Sequence, residues 1–393
     1  MQRRSFLKGA GVITIVAVGG VAWRACDEGV FSVGEGPAYE PWKDWRNANG
    51  TPLALVHAAI LAASPHNTQP WLFKVSNSAI ELHIDTRRNV GALDPYLREE
   101  HIGIGCALEN LLLAAPANGF TANATLEPGK LEPIPAEPGP QLLARVELTP
   151  WGQSAPGELY NAIPHRHTNR GPYDPHKPIP SDFLRALAGL PGDDPEVKIF
   201  LFTADADRRK IAEFSFAANN EIYSDPKVQQ ATRPWVRTKW SSVQKHRDGL
   251  TIDAFGLPPV AGAIAKIIPL RWLDWLGNHS AAHGYVNLML SAPVIGFIAV
   301  RDRYDREQAL KVGRIWQRAH LLATASGLAA RPCNELVEMV DHERAQGKPA
   351  TRVAMLNEIT GDPTWQPTFV FYAGHPMIGA NPSPRRSVET VTL

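Results

Sequence analysis

Two apolar stretches that end alike lie 208 residues apart, and this spacing restricts the fold more than any other feature of the chain. Setting Gly105 on Gly313 brings Leu113 onto Leu321, Ala115 onto Ala323, Ala117 onto Ala325 and Gly119 onto Gly327, with Phe120 facing Leu328. Each stretch reads as a buried helix closed by a glycine that supplies a left-handed cap. So long a period describes two fused domains, not a solenoid of short repeats. Strand patterns surround both helices. Trp71–Val75 and Ile80–Ile84 alternate about Ser76-Asn77-Ser78, and Ala144–Leu148 follows the first helix. Val197–Thr203 and Pro293–Val300 precede the second helix, Asp305–Ser326, and Thr368–Tyr372 follows it. Further helices are expected over Leu53–Ala63, Ser181–Gly189, Arg208–Ser224 and Arg344–Glu358. The expected organisation is a leader over 1–27, a first unit over 28–152 and a second over 158–393. Residues from about 225 to 280, with Trp235, Trp240, Trp272 and Trp275, read as a helical excursion inside the second unit, without a counterpart in the first.

The leader begins Gln2-Arg3-Arg4-Ser5-Phe6-Leu7-Lys8-Gly9 and continues as an apolar run from Ala10 to Trp23. That run is short and glycine-rich beside the ~20 apolar residues of a spanning helix. Basic residues ahead of a short apolar run mark a signal peptide. The pair Arg3-Arg4 before Ser-Phe-Leu-Lys resembles a twin-arginine leader, which is read by the Tat translocase. The expected location is therefore periplasmic or otherwise extracytoplasmic. Anchoring through an uncleaved leader stays open, as does lipidation at Cys26, although Trp23 and Arg24 stand where a lipobox needs small or aliphatic residues.

Forty basic residues against thirty-nine acidic ones give a formal charge of +1 with no block of one sign, so nucleic acid is not an expected partner. Cys26, Cys106 and Cys333 make no disulfide framework. His165 and His167 have no carboxylate or cysteine at ligand spacing, so no metal is expected.

Ser64-Pro65-His66-Asn67-Thr68-Gln69-Pro70-Trp71 is polar and stiffened by two prolines. Asn67 and Gln69 carry amides able to donate and accept at a heteroaromatic edge. Arg166-His167-Thr168-Asn169-Arg170 places two guanidiniums around a hydroxyl, a pattern suited to a phosphate. Pro384-Arg385-Arg386-Ser387 ends the chain with two more cations. Together with Gly327-Leu328-Ala329-Ala330-Arg331-Pro332-Cys333-Asn334, these segments resemble the nitroreductase superfamily of FMN enzymes. The resemblance implies an α+β, nitroreductase-like fold of two tandem repeats. Each would hold a mostly antiparallel sheet flanked by helices, so that one monomer forms an intramolecular pseudo-dimer. It further implies FMN as cofactor, held by Ser64, Asn67, Gln69, Arg166, His167, Thr168, Arg170, Pro332, Asn334, Arg385 and Arg386, with the backbone of Cys333 and Asn334 near flavin N5. Asn334 departs from the acid usual at its place, and no catalytic side chain is assigned.

The amide-rich turn falls in the first repeat and the phosphate-binding segment in the second. The only candidate recurrence of the octet is Ala231-Thr232-Arg233-Pro234-Trp235, and one site of an ancestral pair is expected to survive. Further matches, Asp85-Thr86-Arg87-Arg88, Asp94-Pro95 before Arg98-Glu99, and Asp248-Gly249-Leu250, are similar to the Acg branch of the superfamily, in which residues 235–268 would form a lid. That branch is usually cytoplasmic, whereas this chain carries an export-type leader. The function implied is electron transfer from flavin to a small acceptor such as a nitro compound or quinone. Outside the cytoplasm the donor would be a quinol or protein and not NAD(P)H. Flavin sequestration without turnover, or a flavin-free relic, are the alternatives.

Overall fold

Each half of the chain builds a four-stranded antiparallel sheet with the same strand order. The first contains β1 (Trp71–Val75), β2 (Ala79–Asp85), β3 (Phe120–Leu126) and β4 (Pro140–Pro150), arranged β1-β2-β4-β3. The second contains β5 (Val197–Phe202), β6 (Val294–Val300), β7 (Ala329–Pro332) and β8 (Gln366–Gly374), arranged β5-β6-β8-β7. This computed structural model describes residues 22–267 and 284–393. The expected leader residues Arg3 and Arg4, and Trp272 and Trp275 of the insertion, lie outside the described residues.

Six helices matter for the site: α1 (Pro52–Ala59), α2 (Arg98–Ala114), α3 (Ser181–Ala188), α4 (Asp205–Ser224), α5 (Arg306–Ala325) and α6 (Glu335–Ala345). Each central helix has an aspartate at its beginning, Asp94 in the turn before α2 and Asp305 as the cap of α5. Asp94 Oδ2 accepts the backbone N–H groups of Glu99 and Glu100 at 2.9 and 3.1 Å, while Asp305 accepts that of Gln308 at 3.1 Å. The equivalent helices α2 and α5 cross where Gly105 meets Gly313. A Cβ on Gly105 would fall 2.2 Å from the carbonyl oxygen of Leu310, and one on Gly313 would fall 2.0 Å from that of Ile102. Gln317 donates to Asn110 at 2.8 Å beside the crossing, and the buried carboxylate of Glu109 accepts from Arg314 and Arg318 at 2.8 and 2.5 Å. The offset read from the sequence is thus the contact that joins the halves.

Three local expectations need correction. The helix expected over Arg344–Glu358 is two helices, α6 and Thr351–Thr360, because Gly347 takes a left-handed φ of 64° and Pro349 follows it. Strands β3 and β7 lie where the sequence carries no strand expectation. β3, Phe-Thr-Ala-Asn-Ala-Thr-Leu, alternates inward and outward residues, but its central inward positions are alanines, so its apolar signal is weak. The octet's counterpart in the second half is not Ala231–Trp235, which closes the helix Pro226–Thr232. Matched strand order puts it between α3 and β5, in the turn that contains Asp194 and Glu196.

After β8 the chain crosses to the first half. Arg385 donates its backbone N–H to Ala38 O at 2.7 Å, Arg386 donates to Gln69 Oε1 at 2.8 Å, and Leu393 donates to Phe73 O at 2.7 Å.

Candidate functional site

A cavity of about 460 Å³ opens between the halves. Its floor is the crossing of α2 and α5. One wall is the turn after α1, another is the segment 166–170, and the start of α6 closes the far end. Ser64, Asn67, Arg166, His167, Thr168, Arg170, Pro332, Asn334 and Arg385 all line it. Gln69 and Arg386 do not. Gln69 Nε2 donates to Arg247 O at 2.8 Å and its Oε1 accepts from the tail, so it joins three segments behind the wall. Arg386 donates to Gln69 O at 3.1 Å and Thr390 O at 2.8 Å.

The turn after α1 is strained. His66, Asn67 and Gln69 take φ values of 45°, 56° and 52°. Non-glycine residues in this region cost about 1–3 kcal/mol each and concentrate at functional sites. Gly103 on α2 lets the turn approach: a Cβ there would sit 3.3 Å from Ser64 Cβ and from Pro65 Cδ. Ser64 Oγ accepts the N–H of Gln69 at 3.0 Å and fixes the loop. The Asn67 amide is engaged by protein: Nδ2 donates to Pro384 O at 2.9 Å and Gly249 O at 3.2 Å, and Oδ1 accepts from Arg385 at 2.7 Å. Asn67 therefore ties the tail and the insertion to the first half.

Arg166 and Arg385 are both buried, and among the described residues neither has a carboxylate within salt-bridge distance. Arg166 donates to Leu61 O at 3.0 Å, and Arg385 donates to Ala62 O at 3.0 Å and stacks on Trp42 at 4.6 Å. The Nε–H of each has no partner. Burial lowers the Arg166 pKa to about 10, and burial followed by the charge of Arg166 pushes Arg385 well below its ordinary value. Next to them, burial and then the Arg166 charge depress His167 to about 3, so its ring is neutral near pH 7. Taking a cation out of water costs several kcal/mol even after relaxation. Two adjacent ones without a counter-charge leave an uncompensated positive region in the wall. Arg170 stands apart from this pair: its Nη1 donates to Ala254 O at 3.2 Å, and its cationic neighbour is Arg331.

The far end is acidic. Glu99, Glu335 and Glu338 line the cavity, with the Glu99 and Glu338 carboxyls close enough for each to act on the other's charge. Burial, then the charges of Glu99 and Glu335, raise Glu338 well above the ordinary glutamate value. Behind them Arg98 donates to Asp341 at 2.7 Å, both fully buried. Because the folded pKa of Glu338 is raised, folding takes up a proton there. Stability is then full below the unfolded pKa and declines as pH rises towards the folded one. Glu338→Gln is expected to flatten that decline, so that urea midpoints of variant and parent diverge as pH rises above about 5, the variant being the more stable. Parallel midpoints across that range would contradict the raised pKa of Glu338.

Cys333 Sγ lies 3.0 Å from Tyr285 Oη and 3.2 Å from Glu335 Oε2, and burial, with the Glu335 charge, keeps it a thiol. Its N–H donates to Val370 O at 2.8 Å, and Asn334 Oδ1 accepts the N–H of Val370 at 2.9 Å, so both are held against β8.

Sequence reading missed Trp42, Gly103, Tyr223, Trp316 and Glu338 as wall residues. No local pattern distinguishes them from core or surface. Glu99 was visible only as part of Asp94-Pro95 before Arg98-Glu99. The described part of the insertion contributes Leu250 and Phe255 to the wall. It is fastened by Asp248, which accepts from Arg88 at 2.5 Å and from Arg237 at 2.6 Å, and by the N–H of Gly249 on Asn67 O at 3.2 Å.

No family model matches the chain. The protein named "Putative NAD(P)H nitroreductase Rv3131", from Mycobacterium tuberculosis, is 30% identical over 337 residues, which covers 85% of this chain and 88% of the relative. The chain therefore belongs to the nitroreductase family. A second relative from that organism, "Putative NAD(P)H nitroreductase acg", is 32% identical over 120 residues; the match spans 30% of this chain and only 34% of the relative's length. Among solved structures, the FMN-dependent nitroreductase NfnB from Mycobacterium smegmatis, in complex with NADPH, aligns with a TM-score of 0.40 and 16% identity over 60% of this chain and 97% of its own. A nitroreductase with bound FMN from Desulfitobacterium hafniense aligns at 0.35 and 13%, over 60% and 98%.

Proposed function

We propose that this chain is an exported, FMN-dependent oxidoreductase that passes electrons to a small acceptor such as a nitro compound or quinone. The observation that carries the reading is the buried pair Arg166 and Arg385, which line the cavity with their Nε–H groups unpartnered and no carboxylate within salt-bridge distance. A phosphate dianion satisfies both. The cavity lies within the ~300–1,000 Å³ of small-molecule sites. Bound FMN would supply a carrier of two electrons, and the protein would supply position and electrostatics. Arg166, Arg385 and the Thr168 hydroxyl would hold the phosphate. Arg170 and the start of α6, including Asn334, would border the ring, and the Glu338 carboxyl would hold a proton at the acceptor end. Export rests on Arg3-Arg4, which makes a quinol or protein donor the expected one in place of NAD(P)H.

One site per chain follows from how the twin position is filled. The helix crossing relates Gly103 to Lys311 and Cys106 to Arg314. Lys311 Nζ reaches Asp194 at 3.1 Å and Glu196 at 2.5 Å in the counterpart turn, so ion pairs occupy the place where the first half leaves a gap. Flavin released by denaturing the saturated protein is expected at one FMN per chain, and a ratio near two would overturn this reading. Mixing the flavin-loaded protein anaerobically with a quinol analogue or NADPH then tests the donor; faster bleaching by the quinol is expected, and faster bleaching by NADPH would overturn the donor assignment.

Sequestration without turnover is favoured by a separate observation: the insertion is hydrogen-bonded shut over Asn67 and Gln69. If so, loaded protein would reduce with any donor far more slowly than free FMN.

A further inference from the structure

The exposed apolar side chains are not scattered. Among the described residues, Phe255, Leu257, Val260 and Ile264 are exposed on the insertion, and Trp23, Phe31 and Val33 on the arm that enters the first half. From Ala254 to Ala265 there is no ionisable residue. Val260 and Ile264, 73% and 49% exposed, sit one turn apart on the same face of the helix Pro259–Ile267. The two segments touch: Arg24 donates to Ile267 O at 2.7 Å, and Lys266 donates to Gly29 O at 2.9 Å. Asp253, just before the apolar run, is neutralised by Lys266 just after it at 2.7 Å. Isolated exposed apolar residues are ordinary, but the charge-free run on the insertion, beside an arm whose exposed charges are Asp27 and Glu35, marks an interaction surface.

We propose that this face docks on a lipid bilayer. Two features favour lipid over a second copy of the chain. The arm emerging on this face continues directly from the apolar leader run Ala10–Trp23, preceded by Arg3, Arg4 and Lys8, a sequence suited to an anionic membrane. Trp23, where that run meets the described structure, is 69% exposed, as expected of an indole held at the interface. Phe255 belongs both to the patch and to the cavity wall, so the docked face is also the mouth of the site. A carrier dissolved in the bilayer would reach the cavity without crossing water. The docking itself does not depend on the flavin reading.

The test uses the full chain with Cys26→Ser, in which Cys106 and Cys333 are buried, and an environment-sensitive dye attached through Val260→Cys. Vesicles of mixed phosphatidylcholine and phosphatidylglycerol are added. A blue shift is expected at position 260 and none through Trp151→Cys, an exposed apolar position in the linker between the halves. Adding Leu257→Glu and Ile264→Glu should abolish the shift while the protein still sediments with vesicles through its leader. Absence of a shift at 260, or equal shifts at 260 and 151, would overturn the proposal. A shift that appears without vesicles and grows with protein concentration would assign the face to self-association instead.

Discussion

Gly313→Ala is expected to destabilise the chain by about 3 kcal/mol or more, as over-packing does where backbone cannot retreat. The added methyl would stand 2.0 Å from Ile102 O and 2.8 Å from Gly105 Cα, all backbone atoms of a facing helix. No rotamer change relieves such a contact, so α2 and α5 must separate. Glu109, which accepts from Arg314 and Arg318, would then lose cations that compensate its burial. Gly105→Ala should behave alike, with Leu310 O only 2.2 Å from the new Cβ. Gly262→Ala, whose Cβ meets nothing within 4 Å inside the helix Pro259–Ile267, is the control and should be neutral or stabilising by up to about 1 kcal/mol. Urea unfolding of the three variants decides the matter; near-parental stability of Gly313→Ala would show that the halves do not meet at this crossing.

The second large effect concerns cofactor retention. Arg385→Ala is expected to weaken FMN binding by about 1.5–3 kcal/mol, roughly tenfold to a hundredfold, because hydrogen bonds to charged partners have that worth. Arg166→Ala should cost a similar amount. Without flavin the effect is smaller. Each substitution removes a buried, uncompensated cation but also its bonds to the buried carbonyls of Leu61 and Ala62, so the flavin-free variants should melt close to the flavin-free parent. A structural role alone would lower both affinity and flavin-free melting temperature. Flavin titration paired with thermal melts separates these outcomes. Asn67→Ala is expected to loosen the tail, since its amide joins Arg385 and Pro384 to the first half.

What could be read in advance followed the physics of each segment. The helix crossing was legible because close backbone approach forces glycine at two positions with the same spacing. The turn at 64–71 was legible because prolines and amides are rare together beside a buried strand. Gln69 was chosen for the ring because its amide suits a heteroaromatic edge, yet an amide serves equally well to join backbone segments, and here it holds Arg247 and the tail. Glu338 was invisible for a different reason. A glutamate on an amphipathic helix looks solvated until the opposite helix brings Glu99 against it. β3 escaped because an edge strand with one wet face carries little apolar signal.

The tail has a consequence for when the protein becomes competent. Arg385 donates to the carbonyls of Leu61 and Ala62, 324 and 323 residues earlier in the chain. During synthesis both sheets emerge before that guanidinium is available. A nascent chain can therefore hold both sheets while the pair Arg166 and Arg385 is still incomplete.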